Sequence, residues 1–206
     1  MSIETTRLIT GMNRGETNSI LTDRRALLRG AGTFGLSAAA IAVLGGCESM
    51  AASKSATAAD VDILNVALGL EHEAISAYQL GAQSGLLQDP VLQVAVAFQS
   101  HHKGHRDALV ATIEKLGGKP VAEQSMSDYA TALNAGSLKS QADVLHLAAR
   151  LEKGAANAYL GVIPTFGDKG LAQVAGRLAA DETMHWTALA SALGEQLPAK
   201  ALTFGA

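Results

Sequence analysis

Six side chains have the types and spacing to hold metal ions: Glu71, His102, His105, Glu152, Glu182 and His185. Glu71 sits in the stretch Leu70-Glu71-x-x-Ala74-x-x-Ala77-Tyr78. The same pattern returns as Leu151-Glu152-x-x-Ala155-x-x-Ala158-Tyr159, 81 residues on (71 to 152). The echo reaches upstream, where Asp62-Ile63-Leu64 answers Asp143-Val144-Leu145. A second element follows each copy. Gln93-Val94-Ala95 answers Gln173-Val174-Ala175, and in that register His102-x-x-His105 lies over Glu182-x-x-His185. The chain therefore repeats a unit with an acid on its first element and an i, i+3 ligand pair on its second.

On a helix, Glu71 shares its face with Leu64, Ala67, Leu68, Ile75 and Tyr78. Glu152 shares its face with Leu145, Ala148, Ala149, Ala156 and Tyr159, and Glu182 with Ala175, Leu178, Ala179, Trp186 and Leu189. A carboxylate buried alone on such a face costs several kcal/mol or takes up a proton. Three acids and three histidines on four helices can instead satisfy one another around cations. Taken singly, each position reads as a solvated Glu or a packed His. The recurrence in register argues for a shared site, because independent surface residues have no reason to repeat together.

Other candidates are weaker. His101 is an alternative partner for His105 at i, i+4, but it breaks the register with Glu182. Glu73 is the runner-up acid, and its repeat position is Gly154. His72 and His146 have no acidic counterpart and read as surface or rim residues. Tyr78 and Tyr159 either donate hydrogen bonds to the site's carboxylates or simply pack in the core. Trp186 reads as core.

Four helices are needed to position these groups. The first spans about 59–83, with Gly85 just beyond its end. The second starts at Asp89-Pro90, with Asp89 as N-cap, and stops at Gly117-Gly118. The third runs from near Ser140 to before Pro164, and the fourth from about Asp168 to Leu193, followed by Gly194 and Pro198. Short links within each pair make two antiparallel hairpins. The link 117–139, with a short turn of helix around Asp128 to Leu133, is long enough to cross the length of a bundle. The fold class is all-α, two hairpins joined by one long crossover.

With the ligand pattern, this topology resembles the ferritin-like di-metal carboxylate proteins, over residues 60–193. These supply one Glu from each of two helices and Glu-x-x-His from each of the other two. Glu71 and Glu152 match the single acids, and Glu182-His185 matches one Glu-x-x-His. His102-His105 departs from the pattern, with His where the family has its second Glu. That departure leaves Glu182 as the sole bridge expected from the two pairs. It also makes the set's charge −3 rather than −4, which favours the divalent state. The resemblance implies two ions, iron or manganese, and oxidase, peroxidase or catalase-like activity on dioxygen or hydrogen peroxide. A metal-binding or structural bundle without turnover is the alternative.

Composition agrees with helices: 48% of the 206 residues are hydrophobic, only 4% are aromatic, and there are four prolines. The net charge of −3 and the lack of a basic stripe give nucleic-acid binding no support. One cysteine, Cys47, excludes intrachain disulfides and a CxxC pair that would feed electrons to the site. Residues 1–47 read as an export signal. Arg24-Arg25 precedes an apolar run from Gly30 to Gly46, resembling a twin-arginine leader, and Leu44-Gly45-Gly46-Cys47 resembles a lipoprotein processing box. Residues 48–58 then read as a flexible tether, 59–195 as the ferritin-like domain and 196–206 as a tail. The expected location is the periplasm or cell envelope. The expected partners are metal ions, dioxygen or peroxide, the membrane through a lipid anchor at Cys47, and a second copy in a homodimer.

Overall fold

The structure, a computed structural model, describes residues 52–205, with side chains from residue 57. Five α-helices and no strand occur among the described residues: α1 (Ala52–Gln83), α2 (Asp89–Lys115), α3 (Met126–Ala132), α4 (Gln141–Val162) and α5 (Lys169–Ala192). The four long helices are the expected ones, and α3 is the short helix expected in the crossover. α1 begins at Ala52 rather than near Ala59, so the later part of the stretch read as a flexible tether is helical. Its alanine content explains this, since alanine has the highest helix propensity. The proposed leader, Cys47 included, lies outside the described residues. None of the described helices is long and apolar enough to cross a membrane.

The helix ends follow local chemistry. Ser140 caps α4 by accepting from the Asp143 amide at 3.2 Å, and Asp168 caps α5 by accepting from the Gly170 and Leu171 amides at 2.6 and 3.2 Å. The start of α2 differs by one residue from expectation. Gln88 is the cap and makes no side-chain bond, while Asp89 lies inside the first turn, where its charge favours the helix N-terminus. Both hairpins close in the same way. After α2, the Gly117 amide bonds the Glu114 carbonyl and the Gly118 amide bonds that of Ile113. After α5, Gly194 bonds Ser191 and Glu195 bonds Ala190. Each closure puts a glycine at positive φ, 77° at Gly117 and 73° at Gly194, where other residues are strained.

α1 packs on α2, α4 on α5, and α1 on α4, so the helices carrying the single acids are neighbours. One apolar cluster gathers Leu64, Leu68, Leu109, Ile113, Leu178 and Tyr159, and another gathers Tyr78, Phe98, Leu145, Trp186 and Leu189. Leu68 belongs to the first and Tyr78 to the second, and Glu71 falls between them on α1. The acids thus occupy a polar layer between two apolar ones. Each fully buried leucine contributes about 1.5–3 kcal/mol, which offsets the cost of that layer. The crossover is fastened to α1: the Asn65 amide group donates to the Lys119 carbonyl at 3.1 Å, and its oxygen accepts from the Val121 amide at 2.7 Å. Tyr129 and Leu133 on the crossover bury against Ala77 and Leu147.

Candidate metal centre

All six predicted residues meet inside the bundle. Glu71, His102 and Glu152 are each 1% exposed, Glu182 and His185 0%, and His105 9%. Their ligand atoms form two overlapping groups. Glu71, His102, His105 and Glu182 make one, and His102, Glu152, Glu182 and His185 the other, with the atoms of each group within 4.8 Å of one another.

The hydrogen bonding divides the six unequally. His102 is satisfied at both ring nitrogens, with Nδ1 2.8 Å from Glu71 Oε2 and Nε2 3.1 Å from Glu152 Oε1. Of the six buried side-chain atoms that lack a hydrogen bond among the described residues, His72 Nδ1 lies away from the centre and five belong to it: His105 Nδ1, both oxygens of Glu182, Glu152 Oε2 and His185 Nδ1. These five converge. His105 Nδ1 lies 3.2 Å from Glu182 Oε1 and 3.6 Å from Glu71 Oε2, while His185 Nδ1 lies 3.5 Å from Glu182 Oε2 and 3.4 Å from Glu152 Oε2. Unpartnered buried polar atoms cost about 1–3 kcal/mol each, so such a concentration calls for a ligand. Donors sharing an ion at about 2.1 Å stand roughly 3–3.5 Å apart, which is the spacing seen here. The residues of both groups fit a metal centre, since carboxylate and imidazole are donors to divalent transition metals.

The tyrosines resolve in favour of the site. Tyr78 donates to Glu152 and Tyr159 to Glu71, so each phenol reaches the acid of the other hairpin. Burial, then the charge of the facing glutamate, raises both hydroxyls well above their ordinary range and keeps them protonated as donors. Sequence periodicity put each tyrosine on the face of its own hairpin's acid and did not show that the pairs cross.

Burial disfavours charge on His102, but the bonds to Glu152 and Glu71 outweigh it and push its pKa up to about 10. His105 is raised to about 10 in the same way, burial being outweighed by Glu182 and Glu71. Glu152 is held below its usual range because His102 and His185 overcome its burial. Glu182 is raised, by burial and by neighbouring Glu152, against the pull of His105 and His185.

Two residues outside the predicted set complete the arrangement. The far nitrogen of His105, Nε2, lies 3.2 Å from Asp181 Oδ2, and the far nitrogen of His185, Nε2, lies 2.9 Å from His101 Nδ1. His101 is therefore not an i, i+4 partner of His105; it crosses to the opposite hairpin. Asp181 was missed, though it precedes Glu182 as His101 precedes His102, so the repeat register could have found it. The expectation that Glu182 alone spans both pairs also needs extending. His102, its counterpart in the repeat, reaches both groups because its two nitrogens lie on opposite edges of one ring.

The remaining candidates lie elsewhere. Glu73 is half-buried and in neither group. His146 is on the surface, 3.4 Å from Glu195. His72 is buried rather than on the surface or rim, because the crossover folds over it and sets the Val121 carbonyl 3.3 Å from its Nε2.

Comparison with known proteins agrees with the fold. The model of the ferritin-like domain family matches residues 59–195. The crystal structure of a conserved hypothetical protein from Mycobacterium tuberculosis is similar with a TM-score of 0.56 and 22% identity, over 72% of this chain and 97% of that one, a likeness of fold alone. No curated protein matches. With two thirds of its length matched by the family model, the chain belongs to the ferritin-like domain family.

Proposed function

We propose that this is an exported protein whose bundle binds two iron or manganese ions and acts on dioxygen or hydrogen peroxide, as an oxidase or a peroxidase or catalase-like enzyme. The observation that carries the reading is the set of five buried, unbonded donor atoms spread over both oxygens of Glu182. Glu71 and His105 would hold one ion and Glu152 and His185 the other. Glu182 would serve both, with His102 between the two single acids. When bound, the ions would pass electrons between an external reductant and dioxygen or peroxide, or between two peroxide molecules in the catalase-like case, cycling between the +2 and +3 states. The protein's part is to exclude water with its two apolar layers, fix the acids through Tyr78 and Tyr159, and orient His105 and His185 through Asp181 and His101.

Export rests on Arg24-Arg25 and the apolar run after it, and lipid attachment on Cys47 in its small-residue box. Mass spectrometry of the mature N-terminus tests both. Metal analysis of protein exported in its native host, followed by peroxide consumption, tests the rest. Two ions with turnover supports the enzyme, two ions without turnover leaves a binding protein, and no metal overturns the proposal.

A further inference from the structure

Beside the polar layer the bundle encloses a cavity of about 280 Å³, whose walls include Tyr78, Val91, Phe98, Leu145, Ala148 and Leu189. Only one residue lining it, Tyr78, has a polar side chain, and that hydroxyl is engaged with Glu152. A water molecule needs two to four polar partners to settle in such a space, and a charged ligand needs more, so neither is favoured. An uncharged apolar molecule loses nothing by entering. A cavity of roughly 150 Å³ holds benzene, so this one has room for a single ring with a short alkyl chain. Val94 lines the cavity and is 43% exposed, which sets the mouth on α2.

Its position gives the cavity a role. The Tyr78 ring lies 5.4 Å from that of His102, and the Phe98 ring stacks on His185 at 4.1 Å. The same two aromatic side chains wall the cavity on one side and touch the candidate ligands on the other. We infer that the cavity binds a small, uncharged, largely hydrocarbon molecule and is the organic-substrate site of the metal centre. The substrate role rests on the proposed metal-binding function; the binding itself does not.

The test titrates the full chain, metal-free and metal-loaded, with n-butylbenzene, using 4-phenylbutanoate as the charged control. Butylbenzene at saturation raises Tm by roughly 5 °C in both forms, and phenylbutanoate does not. Ala148→Phe and Ala95→Leu fill the space from α4 and α2, and either one that folds abolishes the shift. In the loaded protein, butylbenzene also alters the metal's electronic or EPR spectrum. No shift in wild type, or a shift that survives filling, overturns the site. Binding that leaves the spectrum unchanged overturns the substrate role. A chain that binds two ions and ignores butylbenzene sinks this inference alone, whereas one that takes butylbenzene but no metal sinks the metal reading and leaves an apolar-ligand protein.

Discussion

The two hairpins make the same contacts at three pairs of equivalent positions and differ at two. Tyr78 and Tyr159 each cross to the other hairpin's acid, and His105 and His185 each face their own hairpin's acid together with Glu182. The differences are His101-His102 in the first hairpin against Asp181-Glu182 in the second. At the inner position, an imidazole with both nitrogens hydrogen-bonded faces a carboxylate with neither oxygen bonded. A duplicated scaffold thus carries an asymmetric centre, with four of its five open donor atoms on the second hairpin and only His105 Nδ1 on the first.

The largest effect should come from exchanging these two inner residues. Glu182→Ala removes the one residue common to both groups whose donor atoms are unbonded, and metal content should fall from two ions to none. His102→Ala removes a side chain whose nitrogens are already hydrogen-bonded, and should retain metal with affinity about 10–100-fold lower. Metal analysis after dialysis reads both. Equal losses in the two variants would show that the asymmetry carries no weight in binding.

Much of this centre was legible in the sequence because a repeat reports on pairs of positions rather than on single residues. Glu71, Glu152 and His105-His185 could be placed from register and helical period alone. Contacts across the bundle were not legible, because the 3.6-residue period fixes the face of one helix and says nothing about which residue stands opposite. Hence Tyr78 and Tyr159 could be set near acids but not matched to them. The helical period offers His101 only an alternative partner on its own helix, His105, whereas its partner lies on α5. The start of α1 was missed for another reason: an alanine-rich stretch reads equally well as tether or helix until something follows from which the helix can propagate.

Titration of the metal-stripped protein should give the next largest effect. His102 and His105 have folded pKa values of about 10, above the unfolded value near 6.5. Their stabilising contribution is fully present below pH 6.5 and is lost as pH rises to 10. Glu71 and Glu152 are lowered on folding, so theirs is present above the ordinary carboxylate range and lost on acidification. The metal-free protein should therefore be most stable at about pH 5–6.5, with Tm falling steadily on the alkaline side. Metal must displace the histidine protons, so its affinity should rise over the same range. A flat alkaline limb for the stripped protein would mean that the imidazoles are not charged there.

The tyrosines test where the two hairpins are alike. Tyr78→Phe and Tyr159→Phe each delete one buried hydrogen bond to a carboxylate, worth about 1.5–3 kcal/mol. Matched geometry predicts matched losses in chemical denaturation of the metal-free protein. A difference above about 1 kcal/mol would place part of the asymmetry in the scaffold rather than in the ligand pairs.

The smallest effect comes from the outer pair, and it is the most discriminating. Asp181 backs His105 with a carboxylate, while His101 backs His185 with an imidazole. A carboxylate holds its histidine's far N–H more strongly than a neutral ring does and makes the near nitrogen the better donor. The position built on Glu71 and His105 should therefore fill first when metal is added stepwise. Asp181→Asn keeps an oxygen acceptor but removes the charge of a half-exposed carboxylate, so it should weaken that position by no more than about tenfold, the low end for such partners, and leave the other nearly unchanged. His101→Ala, acting on the position already weaker, should lower only the second binding step, by a smaller factor. Calorimetric titration with manganese separates the two steps. If Asp181→Asn instead weakened the second step, the ions would fill in the opposite order, and the unbonded atoms around His185 would mark the tighter position.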